Sequence, residues 1–183
     1  EAFVLARIIS LMEPGMLDLA ILAIFPGVMV FAAISDMLTM KIPNLASIIL
    51  ALGFFIVAIA IGMQWSTIGW HVLAGVLMLV ACFVMFNMGW IGGGDAKLAA
   101  ATALWLGFGL LPTHGGVASL FGGALTLFIL QLRRMALEGP LSNAPWLARL
   151  REKNGGIPYG IALAAAGLVV YPDTALWIAA RSI

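Results

Sequence analysis

Six stretches of almost unbroken apolar residues divide the chain: Leu17 to Ser35, Leu45 to Met63, Ile68 to Met88, Ala96 to Leu111, Gly115 to Leu132 and Ile157 to Val170. Each predicts a helix that crosses a bilayer, because about 20 apolar residues span a hydrocarbon core of about 30 Å. The fourth and sixth are short on that measure, so they are expected to thin the bilayer or to end below the headgroups against other protein. Glu1 to Leu11 is apolar but shorter still and reads as an interfacial helix stopped by Glu13, Pro14 and Gly15. The tail from Tyr171 to Ile183 either lies at the interface in the same way or extends the last helix. The first stretch is not a cleaved signal peptide, since five more follow it and it runs directly into a polar motif.

Composition supports the same picture. Of 183 residues, 63% are hydrophobic and 9% charged, with a mean hydropathy of +1.13, whereas soluble domains carry about a quarter charged residues. The expectation is one all-α domain over residues 1–183, a polytopic transmembrane bundle of about six spans, with the lipid bilayer as its surroundings. A net charge of +1 gives no reason to expect a nucleic-acid partner. The single cysteine, Cys82, rules out a disulfide framework and a cysteine-based zinc site. It reads as an inert buried thiol.

Basic residues orient the bundle. With six crossings, one side receives the turn holding Lys41, the turn holding Lys97, and a long segment carrying Arg133, Arg134, Arg149, Arg151 and Lys153. Seven of the nine Lys and Arg fall there, leaving Arg7 and Arg181. That side is expected to be cytoplasmic, with both termini opposite. In the basic loop at about 133–156, Trp146, Leu147 and Leu150 share one face of a short helix. A basic amphipathic helix lies on anionic headgroups; the plainer reading is a set of ordinary membrane anchors.

Two of the few polar clusters place an acid beside a span, both on the expected cytoplasmic side. The first runs Ser35-Asp36-Met37-Leu38-Thr39-Met40-Lys41-Ile42-Pro43-Asn44, the second Gly92-Gly93-Gly94-Asp95-Ala96-Lys97-Leu98. Asp36 ends the first helix, where the backbone dipole disfavours a carboxylate. Pro43 suits the first turn of the next helix and pushes Ile42 out of helical geometry, so Asp36 to Asn44 reads as a tight turn. Asn44 either hydrogen-bonds within that turn or caps the second helix. Asp95 is placed as the N-cap of the fourth helix, in a positive field with Lys97 nearby. Two carboxylates in contrasting environments suit acid–base chemistry, one holding a proton while the other accepts one from water. On that contrast Asp36 would be the acid and Asp95 the base, although a close pair titrates as a unit. The simpler alternatives are a helix-end anchor paired with Lys41 for Asp36 and a plain N-cap for Asp95. His71 and His114 are expected near the opposite face, and Trp65, Trp70, Trp90 and Trp105 in interfacial or packing roles.

At these residues the sequence resembles the aspartic prepilin peptidases, membrane enzymes that mature type IV pilin-like precursors. The resemblance rests on Asp36 with Lys41, Ile42, Pro43 and Asn44, and on Gly92, Gly94, Asp95, Lys97 and Leu98. A third, weaker match is Ile157-Pro158-Tyr159-Gly160. It covers roughly Val30 to Gly167 and implies that Asp36 and Asp95 are the catalytic pair, with Lys41, Pro43, Asn44, Gly92, Gly94 and Lys97 in support. It further implies an enzyme of the bacterial inner membrane that needs no metal or other cofactor. Its substrate would be a prepilin, itself a membrane helix with a basic leader, cut on the cytoplasmic side. Longer members carry paired Cys-x-x-Cys motifs and N-methylate the new pilin terminus. One cysteine cannot supply those motifs, so the chain is similar to the short peptidases of Flp/Tad pilus systems and methylation is not expected. Rival readings are a proton-coupled transporter, a presenilin-like intramembrane protease and a noncatalytic pilus scaffold. The first needs acids near the midplane, and the second needs both acids inside spans.

Overall fold

The computed structural model describes residues 14–135, 144–152 and 155–180, with side chains from Ala23 to Ala179. The interfacial helix expected at Glu1 to Leu11, with Arg7, Lys153 and Arg181, lies outside those residues. The described elements are all helical: α1 (Pro14–Thr39), α2 (Asn44–Ala60), α3 (Trp65–Asn87), α4 (Gly93–Arg134), α5 (Pro145–Arg151), α6 (Tyr159–Val170), a 3₁₀ turn (Tyr171–Asp173) and α7 (Ala175–Ala180).

By length and composition α3 and α4 can each cross a membrane, and α1, α2 and α6 hold shorter apolar stretches. Only 22% of the most apolar window of α3 is buried, the reverse of a core helix in a soluble protein. Its Val76, Leu77, Val80, Phe83 and Val84 are about half exposed. In lipid such side chains need no cover, and the backbone satisfies itself within each helix.

The fourth and fifth spans are one helix by hydrogen bonding, broken at Gly107 (φ 63, ψ 177). A straight 42-residue helix would measure about 63 Å, yet both ends of α4 return to one end of the bundle. Gly94 packs on Ile42, Ile42 abuts Gly160 at the start of α6, and Arg133 bonds the Gly155 and Gly156 carbonyls just before α6. The chain therefore doubles back at Gly107, giving six passes. The expected boundary near Leu111 to Gly115 is corrected: Pro112 and His114 sit inside the second half. Gly107 adopts backbone angles essentially restricted to glycine, and the His71 ring fills the space where a Cβ would stand, 3.0 Å away.

The core runs from Ile42, Ala46 and Leu98 near Asp36 to an aromatic group farther along the bundle. Phe25 stacks on Tyr171 (4.4 Å between centroids) and packs against Trp105 (5.3 Å), whose indole N–H donates to Leu50 O (2.9 Å). Trp65, Trp70 and Trp90 are exposed. The tail does not extend the last helix unbroken. Helix α6 stops at Val170, and Tyr171 and Leu176 fold back into the core, fully buried. In the basic loop, Leu147 and Leu150 of α5 are buried against the protein, and Arg133 clamps Leu150 O (2.8 Å), Gly155 O (2.8 Å) and Gly156 O (2.9 Å). Those two leucines are spent on the bundle, which leaves the reading of its basic residues as ordinary membrane anchors.

Candidate active site

The turn after α1 is held by its own hydroxyls. Thr39 Oγ1 donates to Ser35 O (2.7 Å), and Ser35 Oγ donates to Lys41 O (2.9 Å). Met40 takes a left-handed conformation (φ 56) and returns its N–H to Asp36 O (2.8 Å), closing the helix as a C-terminal cap does. Asp36 is left in the last turn of α1, facing inward and 5% exposed.

Its carboxylate meets the N-terminus of α6. Gly160 N–H donates to Asp36 Oδ2 at 2.8 Å, and the Ile161 N–H is a second backbone donor. Both lie in the first turn of α6, whose N–H groups lack the usual helical partner; the Ile161 N–H also donates to Pro158 O (3.2 Å), and no side-chain cap is present. The negative end of α1 is thus opposed at Asp36 by the positive end of α6. The approach requires glycine. A Cβ on Gly160 would lie 2.8 Å from Asp36 Oδ2 and 2.5 Å from Ile42 Cδ1.

Asp95 is not the N-cap. Gly92 is, and Asp95 stands in the first turn with its carboxylate bonded to the Gly92 N–H. This is the reach-back half of a capping box. Its Oδ1 is buried without a hydrogen-bond partner among the described residues. Gly94 lets α4 lie against the Ile42 backbone, where a Cβ would stand 3.1 Å from Ile42 Cβ and 3.4 Å from Ile42 N and O. One cavity of about 330 Å³ results, lined by Asp36, Met40, Lys41, Ile42, Gly92, Gly93, Gly94 and Asp95. The two acids are near enough for their charges to interact. Two carboxylates on such a cavity can bind one water and divide its proton traffic between them.

The other supporting residues lie outside it. Pro43 is the N-cap of α2, one position before its first turn. Asn44 caps nothing: its Oδ1 accepts from Lys97 Nζ at 2.8 Å. Lys97 therefore ties the start of α4 to the start of α2 and is aimed away from the acid cavity. His114 is 4% exposed, its Nε2 bonded to Leu163 O (3.2 Å), and it lines a second cavity that also includes Asp95. His71 is half-buried, its Nδ1–H donating to Leu104 O (2.6 Å). Both histidines stand within helices and not in loops. Gly160 and Ile161 carry a sequence signal only through the Ile157-Pro158-Tyr159-Gly160 match, which does not point to Asp36.

Residues 23–127 match the type IV leader peptidase family. The chain is 32% identical over 154 residues to the prepilin leader peptidase/N-methyltransferase of Dickeya chrysanthemi, covering 80% of this chain and 53% of that protein. It is 45% identical over 58 residues to the protein of the same name from Pectobacterium carotovorum, covering 32% and 21%. Against that from Burkholderia pseudomallei it is 38% identical over 80 residues, covering 42% and 26%. The chain spans about half the length of the first of these relatives and less of the others. No solved structure matches it. On the family match over more than half of its length, this chain belongs to the type IV leader peptidase family.

Proposed function

We propose that the chain is a membrane-embedded aspartic endopeptidase that removes the basic leader from Flp-like type IV prepilins, using water activated between Asp36 and Asp95. The observation that carries this reading is the single cavity that both carboxylates line, although they come from separate motifs on α1 and α4. One carboxylate takes a proton from the water as it attacks the scissile carbonyl, and the other protonates the departing amine. The buried, unpartnered Asp95 Oδ1 is a ready acceptor for that water. The unpaired first-turn N–H groups of α4 at Gly93 and Gly94 border the same space and can face the developing oxyanion.

The basic residues support a cytoplasmic face. Lys41, Lys97 and Arg133 stand at the aspartate end, and α5 brings Arg149 and Arg151 beside them. By the positive-inside rule that end faces the cytoplasm of a bacterial inner membrane, where a basic leader also lies. The proposal concerns hydrolysis alone. Co-expression with a Flp-type prepilin and N-terminal sequencing of the product tests the proposal. A new terminus at the junction of leader and apolar segment, absent with Asp36→Asn or Asp95→Asn, supports it. A cut deep in the apolar segment would favour a presenilin-like protease instead.

A further inference from the structure

Asp95 borders two cavities. Beside the acid cavity lies a second, of about 510 Å³, between α3, the second half of α4 and α6. Met78, Cys82 and Met85 line it from α3, and Gly115, Ser119 and Gly123 from α4. A Cβ built at Gly115 or Gly123 meets nothing within 4 Å, so the space before both is open. Gly122 is closed off by the Tyr159 ring at 3.2 Å. The first cavity is polar and acidic; the second is walled by small and apolar side chains, with flexible methionines that adapt to varied partners. Small residues let a foreign helix approach closely within lipid, where apolar surface alone gives no drive to associate.

We infer that the second cavity seats the apolar segment of the substrate directly on the carboxyl side of the cut, a reading that rests on the peptidase proposal. A precursor whose basic leader gives way to an apolar helix matches this pair of cavities in order. The leader faces the carboxylates, the helix faces the methionines and glycines, and the change of character falls at Asp95, the wall common to both.

Ser119, exposed on the groove wall, takes the probe as Ser119→Cys in a Cys82→Ala background. The full chain also carrying Asp36→Asn, which holds substrate uncut, is mixed with a Flp-type prepilin bearing one cysteine in the first two turns after the cut. A short bis-maleimide then joins the two cysteines. An adduct is expected that is absent without Ser119→Cys and that Gly123→Leu or Gly115→Leu lowers about tenfold. Gly69→Leu, at an exposed and open position on α3, should leave it unchanged. Equal adduct with both groove variants, or adduct only from leader cysteines, would overturn the inference. Since this readout needs no turnover, failure of the unaltered chain to cut would count against the peptidase reading and leave the seating result intact.

Discussion

Replacing Gly160 by alanine adds one methyl group at the point where α6 meets Asp36. The new Cβ would stand 2.8 Å from Asp36 Oδ2, 3.1 Å from Asp36 Cγ and 2.5 Å from Ile42 Cδ1. The isoleucine tip can rotate away, but the carboxylate must withdraw by about 0.6 Å to reach an ordinary contact of 3.4 Å. Withdrawal stretches the 2.8 Å bond from Gly160 N–H. A hydrogen bond to a charged group contributes about 1.5–3 kcal/mol, and overpacking costs about 1–3 kcal/mol. Alanine recovers up to about 1 kcal/mol of helix propensity, so stability should fall only modestly. Chemistry should suffer more, because a misplacement of about 1 Å can cost about 100-fold. The expected result is a fall of about 10- to 100-fold in kcat with little change in KM, read from a time course of prepilin processing by purified protein. Activity within about twofold of the unaltered chain would show that the contact between Gly160 and Asp36 does not set the geometry of the site.

Gly107→Ala forces a side chain onto a glycine-only conformation and against the His71 ring 3.0 Å away; a loss of at least about 1–3 kcal/mol is expected, seen as a lowered melting temperature in detergent. Lys97→Met and Asn44→Ala each remove the 2.8 Å tie between α4 and α2. Each should cost about 0.5–1.5 kcal/mol, and the double variant should cost no more than one single, measured in the same melt. Arg133→Lys keeps the charge but loses the planar fork that binds three backbone carbonyls, so its melting temperature should fall toward that of Arg133→Ala. For processing, kcat/KM should peak at intermediate pH. Activity fails when both carboxyls are protonated and again when neither is, whereas a flat profile would mean that the pair does not titrate in the reaction.

The spans and both acids are legible in the sequence because a chain this hydrophobic has few places for long apolar runs except the bilayer, and few polar clusters to choose among. What escapes it depends on contacts between distant segments. Pro112 and His114 look like the natural break between the fourth and fifth spans, yet the chain turns at Gly107, where a glycine-only conformation coincides with the close fit of the His71 ring. The position of Asp95 after three glycines suggests a cap. The helix starts nearly a turn earlier, at Gly93, with Gly94 packed against Ile42 and Gly93 against the Phe86 ring. The dipole of α1 can be counted for Asp36 from local sequence, but not the opposing one of α6, which arrives from the far end of the chain. Lys97 looks like a neighbour of Asp95 along the chain, whereas helical geometry carries it onto the face that meets Asn44.

The pairing of the two acids is best judged by kcat/KM for Asp36→Asn, Asp95→Asn and the double variant, in purified enzyme on one prepilin substrate. If both carboxyls serve one water, each single change should abolish processing, by at least about 1,000-fold, and the double change should be no worse than either, as for groups that act as a unit. Substantial activity in one single variant, or losses that multiply in the double, would mean that Asp36 and Asp95 do not share the chemical step.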